Sequence, residues 1–509
     1  MSLFSDFCSV VAQQPDTTAV VEDQRAISFR ELAQLADKVA AGLLHAGLQP
    51  GDRLAIHLGN RLELVALYYA CLDIGAVMVP INQRLIAREI EHLLHHSGAR
   101  YYVGDQETYS RYAAVIAGSA TLERAWIVAG EEARQEERCL PWSALLVAAP
   151  GKRPPAHAEW LAAIFYTSGT TGIAKGVVHS QASLLQIVGL MEAMMPPRTA
   201  QGVLGTGAVH SMLDVIVPWS ILMTLAAHRL GRAVVLLPVV TAETTLALLQ
   251  RLPLSFLKGA PSHFKNLLAA GEASSATPLP SLTSTYSVSG GDLCPPALGR
   301  HWRNLWGGAL RGSYGLTESG PIFCQPDVAA TEQSSIGWPL PGVELQQTET
   351  GELLIRSPAN ALGLWNGQDV DRLPAARWMA TGDLVQRQDD GSYLIIGREK
   401  DILKCDAYSI SPVEVEQALL KLPDIAEAVV FGVPDPIIGE RPVALLRTTN
   451  GKELPAQRLK QHLGALIAEY KHPRQYLFVE RIPLSAAGKV SRKQLANEYR
   501  EIIGAALSS

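Results

Sequence analysis

Tyr166-Thr-Ser-Gly-Thr-Thr-Gly-Ile-Ala-Lys-Gly-Val-Val-His-Ser180 is the most informative run of this 509-residue chain. Ser168, Thr170 and Thr171 offer hydroxyl donors, together with Thr167 before them. Gly169 and Gly172 let the backbone bend tightly and turn its own N–H groups toward an anion, and Lys175 adds a mobile positive charge. Such a loop suits polyphosphate. A polar surface turn uses the same residue types, but a strand-like Trp160–Tyr166 segment leads directly into this one. It is not a P-loop. Counted from Gly169, the sixth position is Ala174 in place of Gly, and Gly176 follows Lys175 where a Mg-binding hydroxyl belongs.

The rest of the composition narrows the class. Apolar residues make up 48% of the chain and charged residues 18%, as expected for a soluble globular protein. A formal net charge of -5 argues against the broad basic surface of a nucleic-acid binder. Cys8, Cys71, Cys139, Cys294, Cys324 and Cys405 are scattered without a C-x-x-C pair, which suits a reducing cytoplasm and no disulfide framework. The N-terminus has neither a basic segment nor a long apolar one. The apolar stretch from Trp219 to Ala227 stops at His228 and Arg229, too short to span a bilayer. A cytoplasmic enzyme without integral membrane contact is the expectation.

Helical and strand patterns alternate through the first half. Ser28, with Glu31 three residues on, reads as the capping box of a helix whose apolar face runs through Leu32, Leu35, Ala36, Val39 and Leu43. Arg53–His57 reads as a strand, about Arg61 to Ile74 as a helix, and Val77–Pro80 as a strand. That succession implies a largely parallel sheet covered by helices. Shorter strands around 351–356 and 391–397 suggest a small β-rich subdomain. Beyond it come a helix from Pro412 to Leu422, strands at Ala426–Phe431 and Pro442–Leu446, and a closing helix from Ser491. The expected division is residues 1–398, and 399–509 as a smaller α+β domain of about 110 residues.

Tyr314-Gly-Leu-Thr-Glu318 is the second signal. Alone it could be a helix N-terminus capped by Thr317. Beside the phosphate loop, it resembles the Tyr-Gly-x-Thr-Glu motif of the adenylate-forming superfamily, whose AMP-dependent acyl- and aryl-CoA synthetases the chain resembles nearly end to end. Ala174 stands where the family usually has Pro. The resemblance implies that Tyr314 stacks on adenine, Thr317 contacts the α-phosphate and Glu318 ligates Mg²⁺. Gly290, Gly291, Asp292, Ser313 and Gly315 join the nucleotide site, as do Asp383 of Thr381-Gly-Asp on the ribose hydroxyls and Arg398 beside it. Lys400 falls at the inter-domain hinge. Lys489, in Leu484-Ser-Ala-Ala-Gly-Lys, matches the lysine that bridges carboxylate and α-phosphate during adenylation. His210 sits where the family often gates the carboxylate pocket; a satisfied core histidine is the competing reading.

The reaction so implied consumes ATP with Mg²⁺ and a small carboxylic acid, forms acyl-AMP and pyrophosphate, and transfers the acyl group to coenzyme A. The departure lies in the thiol-tunnel segment of Asp406, Ala407 and Tyr408, where many CoA ligases carry Gly-Gly at 406–407. Ala407 adds a methyl group and Asp406 a charge that a thiol-bearing arm must pass. A stand-alone enzyme that loads an acyl carrier protein is therefore the alternative, and a non-catalytic ligand-binding member a further one. Cys405 reads as inert rather than nucleophilic. Glu91, His92, His95 and His96 read as a solvated helix face rather than metal ligands. Gly315, where acetate-type relatives carry Trp, and apolar Met212, Leu213 and Leu316 suggest an aromatic or medium-chain acid.

Overall fold

The computed structural model describes residues 2–505 except 129–137, 148–150, 156, 168–173, 196–206, 275–279, 292–293, 295, 331–334, 350, 375–376, 399–402, 407, 411 and 484–491. Ser168, Gly169, Thr170, Thr171, Gly172, Asp292, Lys400, Ala407 and Lys489 lie outside the described residues, as does the side chain of Arg398.

Local chemistry starts the fold. The Ser28 hydroxyl accepts the N–H of Glu31, and the Glu31 carboxylate accepts the Ser28 N–H at 2.8 Å, opening helix Phe29–His45. Helix Leu62–Ile74 has no polar stripe and is buried almost throughout. It ends at Gly75, whose φ of 73° is the left-handed conformation that closes a helix without a Cβ penalty. This helix packs on strands Thr18–Glu22 and Val77–Pro80, which belong to the two different large sheets. It is therefore covered on both sides.

The larger sheet has thirteen strands. Its parallel part runs in the spatial order Leu310–Leu316, Tyr286–Gly290, Leu254–Gly259, Ala208–Ser211, Val234–Leu236. The chain passes from Ala208–Ser211 to one neighbour and then returns to the other side, so the order reverses beside that strand. Ligand crevices form outside the carboxyl ends of strands at such a reversal. A nine-stranded sheet carries Arg53–His57, Val77–Pro80 and the antiparallel pair Leu161–Thr167 and Lys175–Ser180, which flank the glycine-rich segment. A five-stranded sheet from Leu403–Cys405 to Gln475–Phe478, with helices Pro412–Leu419, Ala456–Gly464 and Arg492–Ala505 and its own apolar clusters, forms the smaller α+β domain.

The strands of the β-rich subdomain join the larger sheet. Tyr393–Arg398 pairs with Ser335–Pro339, which pairs with Gly320–Gln325, so these strands extend the thirteen-stranded sheet. Thr317 does not cap a helix. Strand Leu310–Leu316 turns back through it into Gly320–Gln325, helped by Gly320 at φ 69°.

Four buried histidines make the fold sensitive to acid. Burial holds His57, His179, His210 and His228 near a pKa of about 4, against an ordinary value of 6.5. Below pH 6.5 the unfolded chain takes up protons that the folded chain refuses down to about 4, so stability falls as pH drops through this window. Each histidine contributes about 1.4 kcal/mol per pH unit once the unfolded form is protonated. Thermal unfolding followed from pH 7 to 4.5 is expected to show a steep loss of Tm below pH 6.5. A flat Tm across that range would contradict it.

Candidate active site

The carboxyl ends of the parallel strands open onto a cavity of about 860 Å³. Thr167, Lys175, Gly290, Gly291, Gly315, Thr317 and Glu318 all line it. Strand pairing explains the convergence. Thr167 and Lys175 face each other across the antiparallel pair that brackets the glycine-rich segment. Gly290 stands opposite Ser313 on the neighbouring parallel strand, where a Cβ on Gly290 would collide with the Ser313 hydroxyl oxygen. Gly291 then takes a φ of 88°. The expected acid-pocket residues Met212, Leu213 and Leu316 also line the cavity.

The Thr317–Glu318 turn is clamped from two sides. His179, at the end of the segment quoted first, reaches the Thr317 carbonyl through Nε2 at 2.8 Å and meets the Ser183 hydroxyl through Nδ1 at 3.1 Å. A carbonyl only accepts, so the neutral ring carries its proton on Nε2 and accepts from Ser183. The Glu318 carbonyl accepts the N–H of Ala361 at 2.6 Å. Sequence patterns did not single out His179: its role depends on a contact 138 residues away.

Tyr314, Asp383 and Ser313 stand behind the cavity wall. The Tyr314 hydroxyl donates to Asp383 Oδ2 at 2.5 Å, and the Asp383 carboxylate is fully buried. Thr381 and Gly382, just before it, line the cavity. Thr381 Oγ1 donates to the Leu353 carbonyl at 2.8 Å, and the Gly382 N–H donates to Glu352 Oε1 at 2.9 Å, fixing this turn. Arg398 is placed by its backbone pairing with Asp383. Ser313 donates to the Ser289 carbonyl at 3.3 Å. His210 is buried on strand Ala208–Ser211, with Nδ1 3.0 Å from the Val235 carbonyl. It is not among the cavity-lining residues, and its Nε2 meets no partner among the described residues.

The smaller domain supplies the opposite wall through Tyr408 and its neighbours. Tyr408 stacks on Tyr470 with ring centroids 4.1 Å apart, and Arg84 of the larger domain lies over its ring. Asp406 adopts φ 52°, a left-handed conformation that Gly takes freely and Asp tolerates better than most residues. Its carboxylate accepts a hydrogen bond from the Ser262 hydroxyl of the larger domain. Burial pushes the neighbouring Cys405 thiol up to about 11, so it is not a poised nucleophile. The histidine-rich helix Ala87–Ser97 is more engaged than expected. Its His92 borders the cavity and stacks on His96, whose Nδ1 meets the Tyr166 hydroxyl at 2.9 Å. Among the described residues, no group of three His, Cys, Asp or Glu side chains could hold a metal.

The site is that of a nucleotide-using α/β enzyme with a second domain closing over it. A model of the AMP-binding enzyme family matches residues 7–365, and one of the AMP-binding enzyme C-terminal domain matches residues 414–489. The chain belongs to this family, the adenylate-forming enzymes of the AMP-dependent acyl- and aryl-CoA synthetase type. Coronafacic acid ligase from Pectobacterium brasiliense is 37% identical with a TM-score of 0.74, the match covering 98% of this chain and 97% of that one. An amide bond synthetase from Marinactinospora thermotolerans shares the fold at a TM-score of 0.85 and 23% identity, over 98% of this chain and 100% of its own. The benzoate–CoA ligase of Thauera aromatica is 27% identical, over 96% of this chain and 94% of its own.

His179 should act as a positioning residue. His179→Ala is expected to release the Thr317 carbonyl and lower kcat/KM for ATP by about 10- to 100-fold, in line with losses from misplaced catalytic groups. His179→Gln, which keeps an N–H near the Nε2 position, should recover part of the loss. Equal activity of His179→Ala and the parent enzyme in a pyrophosphate-release assay would refute this role.

Proposed function

We propose that this protein activates a carboxylic acid with ATP and then passes the acyl group to the thiol of coenzyme A. The supporting observation is the gathering of Lys175, the Gly290–Gly291 turn and Thr317–Glu318 around one cavity. An acid carboxylate oxygen attacks the α-phosphorus, the bond to the bridging oxygen breaks, and pyrophosphate leaves with that electron pair. The glycine-rich loop and Lys175 hold the β- and γ-phosphates. In this scheme Tyr314 is assigned to adenine and Asp383 with Arg398 to the ribose, which requires the wall in front of Tyr314 and Asp383 to open; Gly290, Gly291, Asp292, Ser313 and Gly315 shape the nucleotide site. Glu318 lines the cavity beside Thr317 and would hold a Mg²⁺ that arrives with the nucleotide. Bound there, the ion would offset charge on the phosphates. His210 lies off the cavity, so the scheme gives it no direct contact with the acid.

Lys489 bridges carboxylate and α-phosphate in this scheme, with Lys400 as the hinge that brings it in. Residues 1–398 and 399–509 are the units that move. Lys489→Ala is expected to lower acid-dependent pyrophosphate release by roughly 10²–10³-fold, the usual effect of losing a preorganised charge. Conversion of added acyl-AMP should survive. Equal loss of both half-reactions would remove Lys489 from this role.

The acid is proposed to be aromatic or medium-chain. Apolar Met212, Leu213 and Leu316 line the cavity, and the benzoate ligase among the relatives acts on a ring acid. In the second half-reaction a sulfur attacks the acyl carbon and AMP leaves with the electron pair. Asp406 favours a second reading for this half, with an amine in place of the thiol and an amide as product. The hydrogen bond from Ser262 to Asp406 ties the segment that Gly-Gly occupies in many CoA ligases to the larger domain. A small amine does not need the channel that a pantetheine arm does, and an amide bond synthetase shares the fold.

Acyl-AMP consumption measured separately with CoA, a carrier protein and a set of amino acids decides between the acceptors. Acyl-CoA as the sole product supports the first reading, and amide formed while CoA stays inert supports the second. Asp406→Gly keeps the left-handed backbone and removes the charge. It is expected to raise the rate with CoA by about 10-fold relative to the rate with amines, a barrier of about 1.4 kcal/mol. An unchanged ratio would show that Asp406 does not select the acceptor.

A further inference from the structure

Strand Leu254–Gly259 is buried at every position, yet it carries Lys258. The side chain is 2% exposed and borders the cavity. Its Nζ lies 3.6 Å from the centre of the Trp219 ring, and among the described residues it makes no hydrogen bond and meets no carboxylate. The half-buried thiol of Cys324 lies close enough to act on it electrostatically. Burial lowers the Lys258 pKa to about 7, the sign of a cation without an adequate partner. A purely structural role at this point would be filled better by an apolar side chain.

Trp219 relates this ammonium to the reacting end. Its Cζ2 lies 2.8 Å from where a Cβ on Gly315 would stand, so the indole spans the space between the Tyr314–Glu318 motif and Lys258. An acid whose carboxylate sits at the motif would lie along this ring and reach Lys258 with its far end. We infer that Lys258 is a specificity-determining residue, and that the acid activated here carries a second, hydrogen-bond-accepting oxygen on a ring-sized apolar frame. A ketone and a second carboxylate share that chemistry. The inference rests on the reading that the protein activates a carboxylic acid.

The test uses matched acids with and without the distal oxygen: benzoate, 4-acetylbenzoate and terephthalate, and cyclohexanecarboxylate beside 4-oxocyclohexanecarboxylate. Acid-dependent pyrophosphate release by the full chain is expected to favour an oxygenated member over its plain partner by about 10-fold or more in kcat/KM, as sites built around a hydrogen bond do. Preference for the keto acids points to a neutral carbonyl and preference for terephthalate to a second carboxylate. Lys258→Met, close in volume and uncharged, should reduce the preference to within about 3-fold, a change in ratio that general damage to the fold would not produce. Plain acids turned over as fast as their oxygenated partners, or a preference retained by Lys258→Met, would overturn the inference while leaving adenylation intact. If no acid releases pyrophosphate, it is the adenylation reading that fails. Calorimetric binding of the same pairs to the parent protein then decides the inference: tighter binding of an oxygenated member supports it, and equal binding overturns it.

Discussion

Lys471 of the smaller domain joins the two walls of the cavity. Its ammonium lies 2.6 Å from Glu89 on the larger domain and 2.8 Å from Glu414 on its own, and all three side chains are largely shielded from water. Burial alone would lower its pKa, but Tyr470, Glu89 and Glu414 together raise it above the ordinary lysine value. The interaction is continuous with aromatic packing, because Tyr470 stacks on Tyr408 and Arg84 covers the other ring. With the Ser262–Asp406 and Arg84–Tyr408 contacts, this joint holds the two walls around one space. Its energetics suit a docking contact between domains: separation returns Lys471 and Glu89 to water, which recovers the several kcal/mol of desolvation that their burial costs.

Lys471 and Lys258 border the same cavity and have opposite electrostatic fates. Lys471 has two carboxylates within hydrogen-bonding distance. Lys258 has an indole face, worth about 2 kcal/mol when desolvated, against an effective burial penalty of several kcal/mol for an ammonium. One lysine is satisfied by the fold and the other is left for something outside it. Proteins carry such deficits mainly where a ligand completes the set of partners.

The sequence was most legible where the determining contacts are local. Ser28 and Glu31 form their capping box within four residues, and the helix they open is present as expected. The glycine-rich run and the Tyr314–Glu318 motif were visible because phosphate chemistry needs closely spaced residue types. What was hidden depends on distant pairing. The β-rich subdomain was legible in its short strands, but nothing in 335–398 reveals that those strands join a sheet begun hundreds of residues earlier. His179 looked like an ordinary strand residue until the fold brought Thr317 to it. Lys258 did leave a trace. A lysine after Leu254-Ser-Phe-Leu interrupts an otherwise buried strand, and that anomaly marks a position where packing alone does not explain the residue.

Acid and acceptor recognition are built on different supports. Lys258, Gly290 and Gly315 belong to strands whose positions are set by the register of a thirteen-stranded sheet, so this wall of the cavity is rigid by construction. Asp406 and Tyr408 sit on a short hairpin, Leu403–Cys405 with Tyr408–Ile410, attached to the smaller domain and docked through side chains. Under the proposed reaction, a change at 406 would alter what approaches the acyl carbon without moving any strand of the thirteen-stranded sheet. The left-handed backbone there admits Gly or Asp with little strain, so the position can exchange an open passage for a charge while the fold stays the same. Under the proposed reaction, specificity for the acid and for the nucleophile would vary independently on one scaffold, the first carried by strands in sheet register and the second by a hairpin that the larger sheet does not constrain.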